Sequence, residues 1–400
     1  MDFRFDDDVE GYRHEVAATF AAAMAPERTA GAGDPEDLTG LSERFERAVH
    51  AQIGELGHLG IGLPASLGGG GRRPSYEAVF NLEAAAWDAP VVDTAMRLAG
   101  YPILAYGSDA QRAWFLPRLL AGRIEMCIAY SEEAAGSDLS AIRTAAVPDG
   151  DGWLLSGEKA LVTGSHKADW CCTLARTRAD GPPREAMTML LVDLTQPGVQ
   201  RRRRETMNGW TLGEIAFDRV RLGPEAVLGA VGEGWRQVLS AVQAERSGMS
   251  YLGFARHVFD DLVAHVRRAE GPGGPLADDP GVRDQVAALA IDLDAGMRLA
   301  KRALWVQERG EPTAVLASMS KVYATELLQR LAQAATEIAG HAGLVHSPLF
   351  AAAPGPAAAG GRFAWEYLER VHGTISVGAN ELQRDLIARQ GLGLPVARRS

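Results

Sequence analysis

Charged segments such as the pair Glu245-Arg246 and the run Arg201-Arg202-Arg203-Arg204 carry residue types that could do chemistry. Neighbouring positions on a helix point about 100° apart, so a Glu245 carboxylate could face an enclosed site and take up a proton while Arg246 projects elsewhere. On a solvated helix face the same pair would do nothing of note. Consecutive arginines offer forks that match phosphate geometry, or they form a solvated strand edge. The polar stretch Ile128-Ala129-Tyr130-Ser131-Glu132-Glu133-Ala134-Ala135-Gly136-Ser137-Asp138 offers backbone and hydroxyl donors, though Ser and Asp are also ordinary turn formers. Gly136 there permits close backbone approach or positive φ. Other chemistries find no support. The nine histidines show no His-Glu-x-x-His spacing and no metal is expected. No Gly-x-Ser-x-Gly elbow and no Gly-x-Gly-x-x-Gly unit is present.

The elements that must position these residues fall into three zones. A chain of 400 residues, 46% hydrophobic, can bury a large core and usually forms two or three domains. From Asp8 to about Gly122 the apolar spacing is helical, with Val9, Tyr12, Val16, Ala17 and Phe20 on one stripe. Asp109, Arg112, Phe115, Leu116 and Leu119 predict another helix, closed by Gly122. From about Met126 to Leu222 short β-rich runs alternate with turns such as Asp149-Gly150-Asp151-Gly152. Beyond Gly232 long helical patterns return over Trp235–Tyr251, Val282–Glu308, Ala314–Ala339 and Asn380–Arg389. The expected fold is an α+β multidomain chain. It has an N-terminal α-helical domain (1–122), a central antiparallel β-barrel or sheet domain (123–231) and a C-terminal four-helix-bundle domain (232–400). Cys127, Cys171 and Cys172 form no disulfide framework, and adjacent Cys171 and Cys172 would point to opposite faces of a strand. With an acidic, non-apolar N-terminus this points to the cytoplasm. No apolar run spans a bilayer, so no membrane partner is expected. The formal charge of −10 argues against nucleic acid.

Three segments together resemble the acyl-CoA dehydrogenase family. The tail Ser376-Val377-Gly378-Ala379-Asn380-Glu381-Leu382-Gln383-Arg384 is similar to the family's Tyr-Glu-Gly-Thr-Asn-Glu-Ile-Gln-Arg. Residues 131–138 resemble Thr-Glu-Pro-x-Ala-Gly-Ser-Asp, and Ser156-Gly157-Glu158-Lys159-Ala160-Leu161-Val162-Thr163 resembles Asn-Gly-x-Lys-x-Trp-Ile-Thr. The resemblance implies FAD, an acyl thioester substrate (acyl-CoA or acyl-carrier protein) and α,β-dehydrogenation. It assigns cofactor contacts to Ile128, Tyr130, Ser131, Gly136, Ser137, Leu161, Thr163, Ala379 and Glu381. Substrate contacts fall to Ser137, Arg246 and Gly378. The family's usual catalytic glutamate falls on Val377, which can offer only its backbone N–H to the thioester carbonyl. Isovaleryl- and long-chain-type members take the base from a Glu-Arg pair early in the C-terminal domain, and that pair matches Glu245-Arg246.

The segment reaching a neighbouring subunit's FAD departs from the pattern. Arg-x-Thr-Phe-Gly is replaced by Arg267-Arg268-Ala269-Glu270-Gly271, leaving Arg268 as the cation for the pyrophosphate. The family's Gln-x-x-Gly-Gly reads Glu337-Ile338-Ala339-Gly340-His341, which places Glu337 and Gly340 at the cofactor. The resemblance implies an electron-transfer flavoprotein or similar acceptor, and a homodimer or homotetramer. It leaves open a heteromeric assembly in which this chain is a non-catalytic or half-site subunit, and a flavin oxidase or monooxygenase on the same fold.

Overall fold

The computed structural model describes residues 3–25, 41–91, 99–208, 211–245, 248–347 and 357–395. The N-terminal zone is helical: α1 (Asp7–Ala23), α2 (Glu43–Glu55), α3 (Pro74–Ala86), α4 (Tyr101–Tyr106) and α5 (Asp109–Leu120). In α1 the residues Val9, Tyr12, Val16 and Phe20 are buried as their spacing predicts, and Ala17 is half-buried. Helix α5 starts at a capping box in which Ser108 and Gln111 satisfy each other's backbone N–H groups. It closes at Gly122, whose φ of 61° favours glycine, and where a Cβ would lie 2.6 Å from the His50 carbonyl.

The middle of the chain is one twisted sheet. Its strands are β1 (Met126–Ala129), β2 (Ala145–Asp149), β3 (Gly152–Thr163), β4 (Trp170–Arg176), β5 (Met187–Asp193), β6 (Val199–Glu205) and β7 (Thr211–Leu222). The strand order is β1-β4-β2-β3-β7-β6, with β5 paired to β4. Pairing is antiparallel except that β1 runs parallel to β4 and β2 meets it in parallel at Ala145 and Arg176. The period-2 rule separates the two cysteines of β4. Cys172 packs with the N-terminal helices and Trp235, whereas Cys171 lies inside the sheet core with Leu155, Val192 and Phe217.

The C-terminal zone holds α6 (Gly234–Glu245), α7 (Met249–Val266), α8 (Pro280–Glu308), α9 (Ala314–Ala339), α10 (Arg362–Glu369) and α11 (Asn380–Leu386). The single helix expected over Trp235–Tyr251 is instead two, because Gly248 takes a left-handed φ of 77°. A Cβ on Gly248 would sit 2.5 Å from Ser320 Oγ of α9, so this turn and α9 are in close contact. Helices α7, α8 and α9 bury Leu252, Val258, Leu262, Leu289, Leu304, Leu327 and Leu331 between them. The fourth long helix of this bundle, α3, comes from the N-terminal zone and adds Ala78 and Leu82 to the same core. No helix among the described residues is long and apolar enough to cross a membrane.

Candidate functional site

The sheet brings two of the three motif segments side by side. The Ala160 N–H donates to the Ser131 carbonyl at 3.0 Å, and Lys159 Nζ donates to the Tyr130 carbonyl at 3.0 Å. Between Lys159 and Val162 the register shifts, so that Ala160 and Leu161 together oppose Glu214. This bulge puts Leu161 at φ 57° and turns its side chain outward, 56% exposed, in a strand whose neighbours are buried. Positive φ for a bulky residue costs about 1–3 kcal/mol and persists where surrounding structure imposes it, commonly at ligand sites. Thr163 is exposed two residues on, and the Ser131 N–H and hydroxyl bond to no other described residue. Exposed Leu161 and Thr163 thus lie on the strand that bonds the Ser131 loop, whose N–H and hydroxyl remain unspent among the described residues.

The Ser131 loop is fixed from beneath by Lys159, which is almost wholly buried. Its ammonium bonds Glu132 Oε1 at 2.9 Å, and the same carboxylate accepts the N–H groups of Arg143 at 2.7 Å and Thr144 at 2.9 Å. Burial raises the Glu132 carboxyl, but Lys159 and those N–H groups outweigh it and hold it below its ordinary value. Burial pushes Lys159 down against the pull of Glu132. Lys159→Met is expected to cost roughly 1.5–3 kcal/mol in urea denaturation, the range for hydrogen bonds to charged groups. Because the folded Glu132 pKa is depressed, this contribution is full above its unfolded value near ~4.3. It disappears as pH falls through the lower folded value, so wild type and variant converge in acid.

The tail forms a second cluster. Val377 takes φ 54° and Gly378 φ 87°, and the Val377 N–H meets no acceptor among the described residues. A β-branched residue with positive φ is an outlier, so the neighbouring structure must impose it. The restraint comes from α9. Ser318 Oγ donates to Gln383 Oε1 at 2.8 Å, and Gln383 Nε2 donates to the Gly378 carbonyl at 3.2 Å. Lys321 Nζ donates to the same carbonyl at 3.1 Å and to Asn380 Oδ1 at 2.8 Å. Glu326 accepts from Asn380 Nδ2 at 3.1 Å and Arg384 at 2.6 Å. Gln329, the next member of this polar stripe, donates to the Arg370 carbonyl at 3.3 Å.

The C-terminal zone meets the sheet domain at the loop after β6. In the loop after β6, Asn208 Nδ2 donates to Glu369 Oε2 at 2.6 Å. The His346 ring meets the Asn208 carbonyl at 3.0 Å. Strand β7 begins just after that loop and pairs its Leu212 with Thr163.

The other expected residues are spread more widely. Ile128 is half-buried in β1 opposite Cys172, and Tyr130 is buried. Gly136 keeps a negative φ and faces open space, so neither crowding nor backbone geometry requires glycine there. Ser137 is exposed, and Asp138 fills the turn role by accepting from the Ser140 N–H at 3.1 Å. Ala379 is the N-cap of α11 and Glu381 is exposed in its first turn. Helix α6 ends at Glu245, but that residue's side chain and Arg246 lie outside the described residues. Arg268, Glu337 and Gly340 lie exposed at the ends of α7 and α9, and Glu337 accepts from Gln333 at 2.8 Å. Among the described residues they make no hydrogen bond or ion pair with the Tyr130–Thr163 segments. The arginine run is mostly committed within the chain. Arg201 Nη1 donates to the carbonyls of Ser165, His166 and Ala168, and Arg202 and Arg204 pair with Glu214.

Comparison with known proteins covers nearly the whole chain. The profile of the acyl-CoA dehydrogenase N-terminal domain matches residues 10–123, that of the middle domain 127–220 and that of the C-terminal domain 232–392. Acyl-CoA dehydrogenase IpdE1 of Mycobacterium tuberculosis is 32% identical over 404 residues, covering 97% of this chain and 98% of that protein. Among solved structures, the Tcur3481-Tcur3483 steroid ACAD superposes with a TM-score of 0.88 at 27% identity, over 99% of this chain and 100% of that one. The ChsE4-ChsE5 complex from Mycobacterium tuberculosis gives the same TM-score, identity and coverage.

Proposed function

The chain belongs to the acyl-CoA dehydrogenase family of FAD-dependent oxidoreductases, and on that premise we propose that it dehydrogenates an acyl thioester with Glu245 as the base. FAD, when bound, supplies the acceptor for the β-hydrogen as hydride. The α-proton is weakly acidic, so its removal needs a positioned base and a donor for the developing enolate oxygen. Glu245 takes the α-proton, and a double bond forms between the α- and β-carbons. The Val377 N–H donates to the thioester carbonyl. That backbone donor is unaffected by the absence of a carboxylate at this position. Ser131, Leu161 and Thr163 would hold the flavin edge, while the Lys159–Glu132 pair keeps the Ser131 loop in place.

The observation that carries this reading is the Val377 N–H, left without an acceptor among the described residues on a backbone held at positive φ beside α9. An electron-transfer flavoprotein or similar acceptor would reoxidise the enzyme. The test is anaerobic bleaching of the protein's yellow colour by a panel of thioesters. The panel spans linear, branched and steroid-bearing acyl groups, on CoA and on carrier protein. One class should bleach the flavin within a turnover time; if none does, the proposal falls.

A second reading, a half-site subunit of a heteromeric enzyme, draws support from Glu337 and the altered segment after Arg267. Two of the similar structures are named as pairs of proteins. In that case the chain expressed alone would carry less than one FAD per chain, and a partner chain would raise the ratio.

A further inference from the structure

We infer that Lys321 is a positioning residue that sets the tail amide against the end of the base-bearing helix. The inference rests on the assignment of Glu245 and Val377 above. Lys321 is 1% exposed on α9, where it is the charged member of a buried polar stripe with Ser318 and Thr325 beside buried leucines and alanines. A buried ammonium is expensive in desolvation and in side-chain entropy, and an apolar residue would serve packing better. Two acceptors of its ammonium among the described residues, the Gly378 carbonyl and Asn380 Oδ1, lie in the tail on either side of Ala379. Gln383 converges on the same carbonyl. Held at two points just beyond Val377, the backbone cannot relax from the positive φ values that aim the Val377 N–H.

The same turn of α9 also meets the other half of the proposed machinery. Ser320, adjacent to Lys321, lies against Gly248, three residues beyond Glu245. One turn of one helix therefore contacts both the tail and the turn that follows α6. In the proposed machinery its placement would govern how the tail donor and the base are set. A misplacement of about 1 Å in such a pair can cost roughly 100-fold in rate.

The test is Lys321→Met in the flavin-loaded protein, with Glu245→Gln as reference. The expected result is retained flavin, kcat lowered roughly 10- to 100-fold, and KM changed by less than about threefold, because only the transition-state interaction is lost. Amide hydrogen exchange over residues 376–380 should rise at least ~10-fold while α7 and α8 keep their protection. A purely structural role would instead loosen α7, α8 and α9 together and move KM with kcat. Where Lys321→Met does not fold, Gln383→Leu removes the second donor to the Gly378 carbonyl, and a smaller change of the same pattern is expected. Wild-type kcat with wild-type exchange over 376–380, in either folded variant, overturns the inference. If no thioester is turned over by the wild type, the functional reading fails by itself, and the exchange measurement still decides whether Lys321 holds the tail.

Discussion

Glu245→Gln will give a folded, yellow protein whose kcat is lower by roughly 100- to 10,000-fold, the range that a positioned general base contributes. Glutamine keeps the volume and polarity of the side chain but cannot take a proton at neutral pH. Thioester affinity should hardly change, since the lost interaction is the proton transfer made only in the transition state. Stopped-flow reduction under anaerobic conditions is the measurement of choice, because it isolates the proton-and-hydride step from product release. The alternatives predict different outcomes. A half-site subunit would show the same low activity before and after the substitution. A base elsewhere in the chain would leave reduction rates at the wild-type value, and the assignment of Glu245 would be lost.

The residues that could be assigned from sequence and those that could not differ for a physical reason. Amphipathic spacing located α1 and α5 because burial selects one face of a helix, and alternation in β4 separated Cys171 from Cys172 onto two cores. The break at Gly248 was hidden, since glycine inside a helical pattern reads as a tolerated defect until a neighbour such as Ser320 is seen against it. Leu161 stands where the family pattern that this segment resembles has tryptophan. The bulge that turns it outward depends on the register with β7, which no local pattern encodes. Neither Lys159 nor Lys321 reads as buried from residue type alone, because lysine is ordinarily a surface residue. A signal for Lys321 was present: Ser318, Lys321, Thr325 and Gln329 recur three or four apart on a helix rich in alanine and leucine. Such a stripe marks a polar contact inside the fold when the rest of that face is apolar.

Glu366→Gln is expected to destabilise the folded chain by about 3–5 kcal/mol, the cost of breaking a buried ion pair from one side. Glu366 is fully buried in α10, where it bonds Arg362 at 2.9 Å and holds Arg370 through two nitrogens. Arg362 keeps Asp88 at 2.6 Å if Glu366 is lost, so the exposed weakness is Arg370, stacked over Phe254 with its centroid distance at 4.2 Å. Replacing both members, Glu366→Met with Arg370→Met, should cost less than the single change, because no unpaired charge remains inside. The network is also pH-sensitive in a defined direction. Burial would raise the Asp88 carboxyl, but Arg362 and His257 hold it far below its ordinary value. The stability it adds is therefore complete above its unfolded pKa of ~3.9 and is lost as pH falls through the lower folded value. Asp88 lies in the N-terminal zone and α10 leads into Glu369, Asn208 and the tail. Denaturant curves for Glu366→Gln should consequently show early loosening of residues 369–380 by hydrogen exchange, ahead of the sheet. Equal loosening of all zones would mean that the cluster braces the whole fold and has no selective hold on the tail.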